Sequence, residues 1–217
     1  MPSSFPGAID SFTDPLSGSA LNSPSHSAQH ADLNDAVRDI ETYMGLVKVI
    51  PTSVTGGTLS ATGTVTIGSA RSSVVINGAF SSLYNNYRVV VSGVAVSAVG
   101  SSASFLISSS LGATYSANGF YMNPASSALT GFAQNQTING FWLGVTGGTW
   151  SASFDICNPF LASATNVVGQ SAGSGASAYY NTFMGADSNA ASSTGLAFAQ
   201  ATSTWTGGNV TIYGYRI

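Results

Sequence analysis

The chain has 217 residues, of which 44% are hydrophobic and only 6% charged, with a net charge of -3; an average soluble domain carries roughly 25% charged residues. With no basic patch to neutralise phosphates, nucleic-acid binding and attachment to an anionic membrane surface are excluded. A single cysteine, Cys157, excludes an intrachain disulfide framework, and no run approaches the roughly 20 apolar residues of a membrane span.

The charge is unevenly spread. Asp10, Asp14, Asp32, Asp35, Arg38, Asp39, Glu41 and Lys48 all precede residue 49, leaving Arg71, Arg88, Asp155, Asp187 and Arg216 for the rest. A body whose polar surface is Ser, Thr, Asn, Gln and Gly repels its neighbours weakly. Burial in an oligomer or a large assembly is expected.

Residues 1–24 hold Pro2, Pro6, Pro15 and Pro24, too many for a regular helix or a central strand. The stretch reads as an extended arm or a disordered tail. In the first reading Phe5, Ile9, Phe12 and Leu16 anchor it in a partner. The opening MPSSFPGAID has neither a basic n-region nor an apolar h-region, so no secretory signal is expected.

Residues 25–48 are predicted to hold one helix, SHSAQHADLNDAVRDIETYMGL, capped by Ser25 or Ser27 and ended by Gly45. Leu33, Ala36, Ile40, Tyr43 and Val47 follow 3, 4, 3, 4 spacing, an a/d seam that Val37 and Met44 widen. This predicts a short parallel bundle between copies; the alternative is a helix packed on its own β body. Residues 49–71 read as a Gly/Ser/Thr-rich connector with one strand at Val65–Ile67.

From residue 72 to 217 period-2 runs alternate with Gly/Ser/Asn turns. Strands are predicted at 73–77, 86–96, 103–108, 114–122, 138–146, 149–157, 178–184, 194–200 and 208–216. The fold class is mainly β: an antiparallel, jelly-roll-like β-sandwich behind the arm and the helix. A Gly147-Gly148 turn is predicted to join FWLGVT to TWSASFD as a hairpin. Val145 would then face Trp150, Leu143 face Ala152 and Phe141 face Phe154. Trp142 would stand on the opposite, polar face with Ser151, Ser153 and Asp155.

Little catalytic chemistry is available. Asp155 and Asp187 are the only carboxylates after residue 50, and no Glu accompanies them, which is unpromising for a glycosidase pair. The two histidines, His26 and His30, lie in the helix, remote in sequence from Cys157, and no G-x-S-x-G elbow occurs. Their four-residue spacing suits one helix face and could place three copies around a trimer axis, although capping and hydration explain them as well. No calcium loop or phosphate loop is present. No enzyme, cofactor or resident metal is expected. What remains is a surface of Ser, Asn, Gly and Tyr with a few Trp, a composition suited to recognition. Trp142, Tyr121, Tyr179 and Tyr180 are the candidate receptor or subunit contacts, drawn from a pool that includes Tyr115 and Trp205. For any one of these aromatics, a place in the core is the competing expectation.

Two segments carry a resemblance. FPGAIDSFTDPLSGSALNSPSHSAQHADLNDAVRDIETYMG, residues 5–45, resembles the leader of tail-fibre and minor tail proteins of tailed bacteriophages. GTVTIGSARSSVVINGAFSSLYNNYRVVVSGV, residues 63–94, and the closing GGNVTIYGYRI resemble the two ends of a β domain found at the tips of phage fibres. The resemblance implies a homotrimeric virion appendage, assembled in the host cytoplasm and docked on other virion proteins by its arm. Its head would meet a host-surface glycan or protein. The chain is short for a fibre and lacks a long shaft, so a head fibre, decoration protein or tail or baseplate component without receptor binding is the alternative.

Overall fold

The computed structural model describes residues 26–43, 45–98, 101–107, 115–123, 128–136, 140–146, 148–174, 180–200 and 203–215. The helix α1 (His26–Tyr43) belongs to one compact unit, and Leu46–Tyr215 forms the other. α1 ends earlier than the spacing of Val47 suggested. Gly45 adopts a φ of 92°, a conformation that stops helices, and Val47 lies in a strand. On α1, Leu33, Val37 and Ile40 are exposed, whereas Ala36 is half-buried. Among the described side chains of α1, the large apolar residues open to solvent are Leu33, Val37 and Ile40, of which Leu33 and Ile40 belong to the expected seam.

The body is an antiparallel β-sandwich. Its larger sheet runs β3 (Gly57–Leu59), β4 (Val65–Ile67), β15 (Trp205–Tyr215), β6 (Asn86–Val96), β11 (Trp150–Cys157), β12 (Thr165–Gly173), β13 (Tyr180–Asp187), β8 (Tyr115–Asn123) and β9 (Ala128–Gln136), with β1 (Leu46–Lys48) added beside β15. The smaller sheet runs β10 (Phe141–Thr146), β7 (Ser101–Ile107), β14 (Leu196–Gln200), β5 (Ser73–Asn77) and β2 (Ser53–Thr55). Alternation decides which side chains face inward. In β11, Trp150, Ala152, Phe154 and Ile156 are buried, while the residues between them are exposed or half-buried. Phe105 of the smaller sheet stacks on Phe154 of the larger, ring centres 4.1 Å apart, and on its neighbour Phe141 at 4.9 Å. That aromatic layer joins the two sheets.

The Gly147-Gly148 hairpin is not formed. β10 pairs with β7, and β11 pairs with β6 and β12, so the two runs lie in opposite sheets. The apolar face was nonetheless read correctly where it is described: Phe141, Leu143, Trp150, Ala152 and Phe154 are all buried, and the Val145 side chain lies outside the described residues. Alternation fixes which face of a strand is apolar. It does not choose the partner when two strands present apolar faces to the same core from opposite sides.

The stretch read as a connector is built into the body. β1 pairs with the end of β15, placing Val47 opposite Gly214; β2 joins the smaller sheet; β3 and β4 extend the larger one. β4 has the bounds predicted for it, Val65–Ile67, whereas the three-residue β1, β2 and β3 leave almost no periodicity to detect. β12 and β9 also escaped prediction. β12 turns Thr165, Val167 and Ser171 inward, so its buried face is half polar.

Candidate functional site

The outward face of the larger sheet carries the most distinctive surface. On β8, Tyr115 and Ala117 point into the core, and Phe120 and Met122 point out. The register sets Met122 opposite Leu129 on β9 and opposite Tyr180 on β13. Phe120 is 57% exposed, Leu129 71% and Tyr180 46%. Together they wall an open groove of ≈ 680 Å³ whose floor includes Ser151, Ser153, Gln170 and Thr182. Met184 and Val168 add further exposed apolar area on the same face. Among the described residues, no charged side chain lines the groove. A cluster of exposed large apolar residues on one sheet face exceeds the scattered single exposures normal for a soluble surface.

The predicted contact residues divide. Tyr180 is in the groove. Trp142 is not on an open polar face: it meets Tyr121 and Phe132 edge-on, at centroid distances of 5.6 and 5.0 Å, and all three rings are half-buried. Its backbone carbonyl accepts a hydrogen bond from Asn181 Nδ2 at 3.1 Å. The expected face changed because β10 joined the other sheet. Trp205 and Tyr115 are buried core residues. Tyr179 and the arm residues Phe5, Ile9, Phe12 and Leu16 lie outside the described residues, as does the Tyr43 side chain. Sequence reasoning missed Phe120, Met122 and Leu129. The available signal was β8 itself, YSANGFYMN, which is apolar at both parities in its second half, a pattern that puts large side chains on both faces.

The two carboxylates lie on opposite faces of one sheet. Asp155 points outward from β11, where Arg88 Nε and Nη2 donate to Oδ1 and Oδ2 at 2.9 and 2.8 Å and Tyr215 Oη donates to Oδ1 at 2.7 Å. Burial alone would raise its pKa, but these hydrogen bonds and the Arg88 charge outweigh it and hold the carboxyl below its ordinary value. The Tyr215 phenol is pushed up to about 12, by burial first and by Asp155 second. Asp187 is buried on the inward face at the end of β13. Burial raises its pKa, although the backbone N–H of Asn189 donates to Oδ1 at 2.9 Å. The sheet separates the pair, so they do not flank a common substrate position.

Cys157 is half-buried at the end of β11, with its thiol pKa raised by burial first and by Asp155 second, the opposite of what activates a thiolate. Among the described residues, no three His, Cys, Asp or Glu side chains come together as a metal site. None of the described helical residues forms a segment long and apolar enough to cross a membrane. No family model and no curated protein matches the chain.

Proposed function

We propose that this chain is a non-catalytic appendage protein of a tailed-phage virion that attaches by its N-terminal arm and uses its β-sandwich to bind the host surface. The observation that carries the binding part is the groove walled by Phe120, Met122, Leu129 and Tyr180. Aromatic rings offer flat apolar area to the C–H faces of sugars, and the Gln170, Thr182 and Ser151 side chains offer hydrogen bonds to neutral hydroxyl groups. The uncharged lining that the described residues give the groove suits a neutral saccharide better than an acidic one. The leader resemblance over residues 5–45 supports the virion assignment. The exposed Leu33, Val37 and Ile40 of α1 support association of copies through the helix, in threes by the same resemblance. Three weak sites on one particle would reinforce one another through effective concentration.

The test is saturable binding of the purified chain to bacterial cells and to isolated surface polysaccharide. Phe120→Ala and Tyr180→Ala should each weaken it by roughly tenfold or more while the protein stays folded. A second reading, a virion component that only stabilises head, tail or baseplate, is favoured by the near-absence of charge across the whole body. It predicts no binding to any cell or polysaccharide and loss of particle integrity when the chain is deleted.

A further inference from the structure

We infer that β9 is a docking edge for a second copy of this chain, whose own β9 adds antiparallel to it and joins two bodies across a two-fold axis. The inference goes beyond the proposed function and does not depend on it. A sheet edge exposes a row of backbone N–H and C=O groups, and proteins protect such rows with short strands, bulges, charges, prolines or covering groups. Most edges here are protected in this way. β1, β2 and β3 have three residues each. β10 has a register shift between Trp142 and Gly144, and side chains from the opposite sheet bond its carbonyls: Asn181 Nδ2 donates to Trp142 O, and Ser171 Oγ donates to Leu143 O.

Among the described residues, β9 has none of these devices. It is nine residues long, ALTGFAQNQ, with no proline and no charged residue. It pairs with β8 in unbroken register from Ala128 to Gln136. Among the described residues it has no second neighbour. On its outward face Leu129 is the most exposed apolar residue of the large sheet, and it sits beside Met122.

The nature of the occupant follows from the edges. A strand must supply the missing hydrogen bonds, about eight for a nine-residue antiparallel pair. Among the described residues of another copy the one long unprotected edge is β9 again, so pairing between copies sets β9 against β9. Such a contact is isologous and closes after two bodies. Like pairs with like without electrostatic cost because the strand is uncharged, and Gly131 and Ala133 keep the seam open to cross-strand neighbours. Two-fold closure of this kind links bodies in pairs, whatever number of chains α1 gathers.

The experiment uses the full chain and the double variant Leu129→Lys, Ala133→Lys, whose positions are both exposed. Mass in solution is measured across a concentration series by sedimentation, and hydrogen exchange is followed at residues 128–136. We expect the wild-type mass to rise to twice that of the variant and then level off, and the β9 amides to exchange at least tenfold faster in the variant. Leu83→Lys, an equally exposed site elsewhere, should leave both readouts at wild-type values. Unchanged mass in the double variant would overturn the inference. So would β9 amides that stay protected in the unpaired species, open-ended growth without a plateau, or an equal loss of assembly in Leu83→Lys.

Discussion

Arg88 and Asp155 face each other across β6 and β11 in a two-point ion pair, and Tyr215 adds a third hydrogen bond from β15. Three neighbouring strands are thereby tied together on the outward face. The Arg88 and Asp155 side chains are 40% and 25% exposed, so solvent screening discounts the pair. Asp155→Asn is expected to cost about 1 kcal/mol at neutral pH. Because the folded pKa lies below the ordinary 3.8, this contribution is present above the unfolded pKa and is lost as pH falls through the folded one. Chemical denaturation of wild type and Asp155→Asn should therefore differ at pH 7 and converge as the pH falls through the lowered folded pKa of Asp155.

Asp187 works in the opposite direction. Its folded pKa is raised above 3.8 by burial, so the folded state favours the proton. Stability is greatest below the unfolded pKa and declines as pH rises through the folded one. Asp187→Asn keeps an oxygen for the Asn189 N–H and removes the buried charge. Its Tm should exceed that of wild type by about 2–4 °C at pH 7, and the gain should disappear below about pH 4. A lower Tm at pH 7 would show that the carboxylate has a partner that the amide cannot replace.

Phe105 is the side chain on which the two sheets meet. It is fully buried and stacks on both Phe154 and Phe141. Phe105→Ala should destabilise the body by about 3–5 kcal/mol through lost contact and the cavity left behind. Phe105→Leu should cost less, since it retains most of the volume. Urea unfolding midpoints at a constant m-value provide the measurement.

The groove residues should show the reverse profile. Tyr180 and Phe120 are open to solvent, so alanine at either should change stability by about 0.5 kcal/mol or less. If they contact ligand, each truncation should weaken binding by roughly tenfold or more. Trp142→Phe is the contrasting case: its ring packs on Tyr121 and Phe132, so its replacement should lower stability and leave binding unaffected. Parallel Tm and binding measurements on the three variants separate surface contacts from packing.

Read as a string, this chain already declared most of its strands. The runs at 73–77 and 86–96 are observed as β5 and β6 with those same bounds, because Val, Ile and Tyr recur at every second residue between turn-forming Gly, Asn and Ser. The α1 helix was legible for the same kind of reason, at its own period. The inward faces of β10 and β11 were legible down to single residues. The three-residue β4 was also read with its observed bounds, Val65–Ile67; much less could be read of β9, β12, β1, β2 and β3, where small or polar residues mark the buried face or the run is too short to count.

The sequence by itself determined the fold class, the inward-facing side chains and the poverty of titratable chemistry, since these depend on local alternation and composition. Only the tertiary structure decided which strands pair. It sent β10 and β11 to opposite sheets, turned Trp142 toward Tyr121 and Phe132, placed Asp155 and Asp187 on opposite faces, and gathered Phe120, Met122, Leu129 and Tyr180 around one groove. The reason is physical: a strand's pattern specifies what each face wants, but partner choice is settled by the joint packing of residues far apart in the chain, and no local period encodes that.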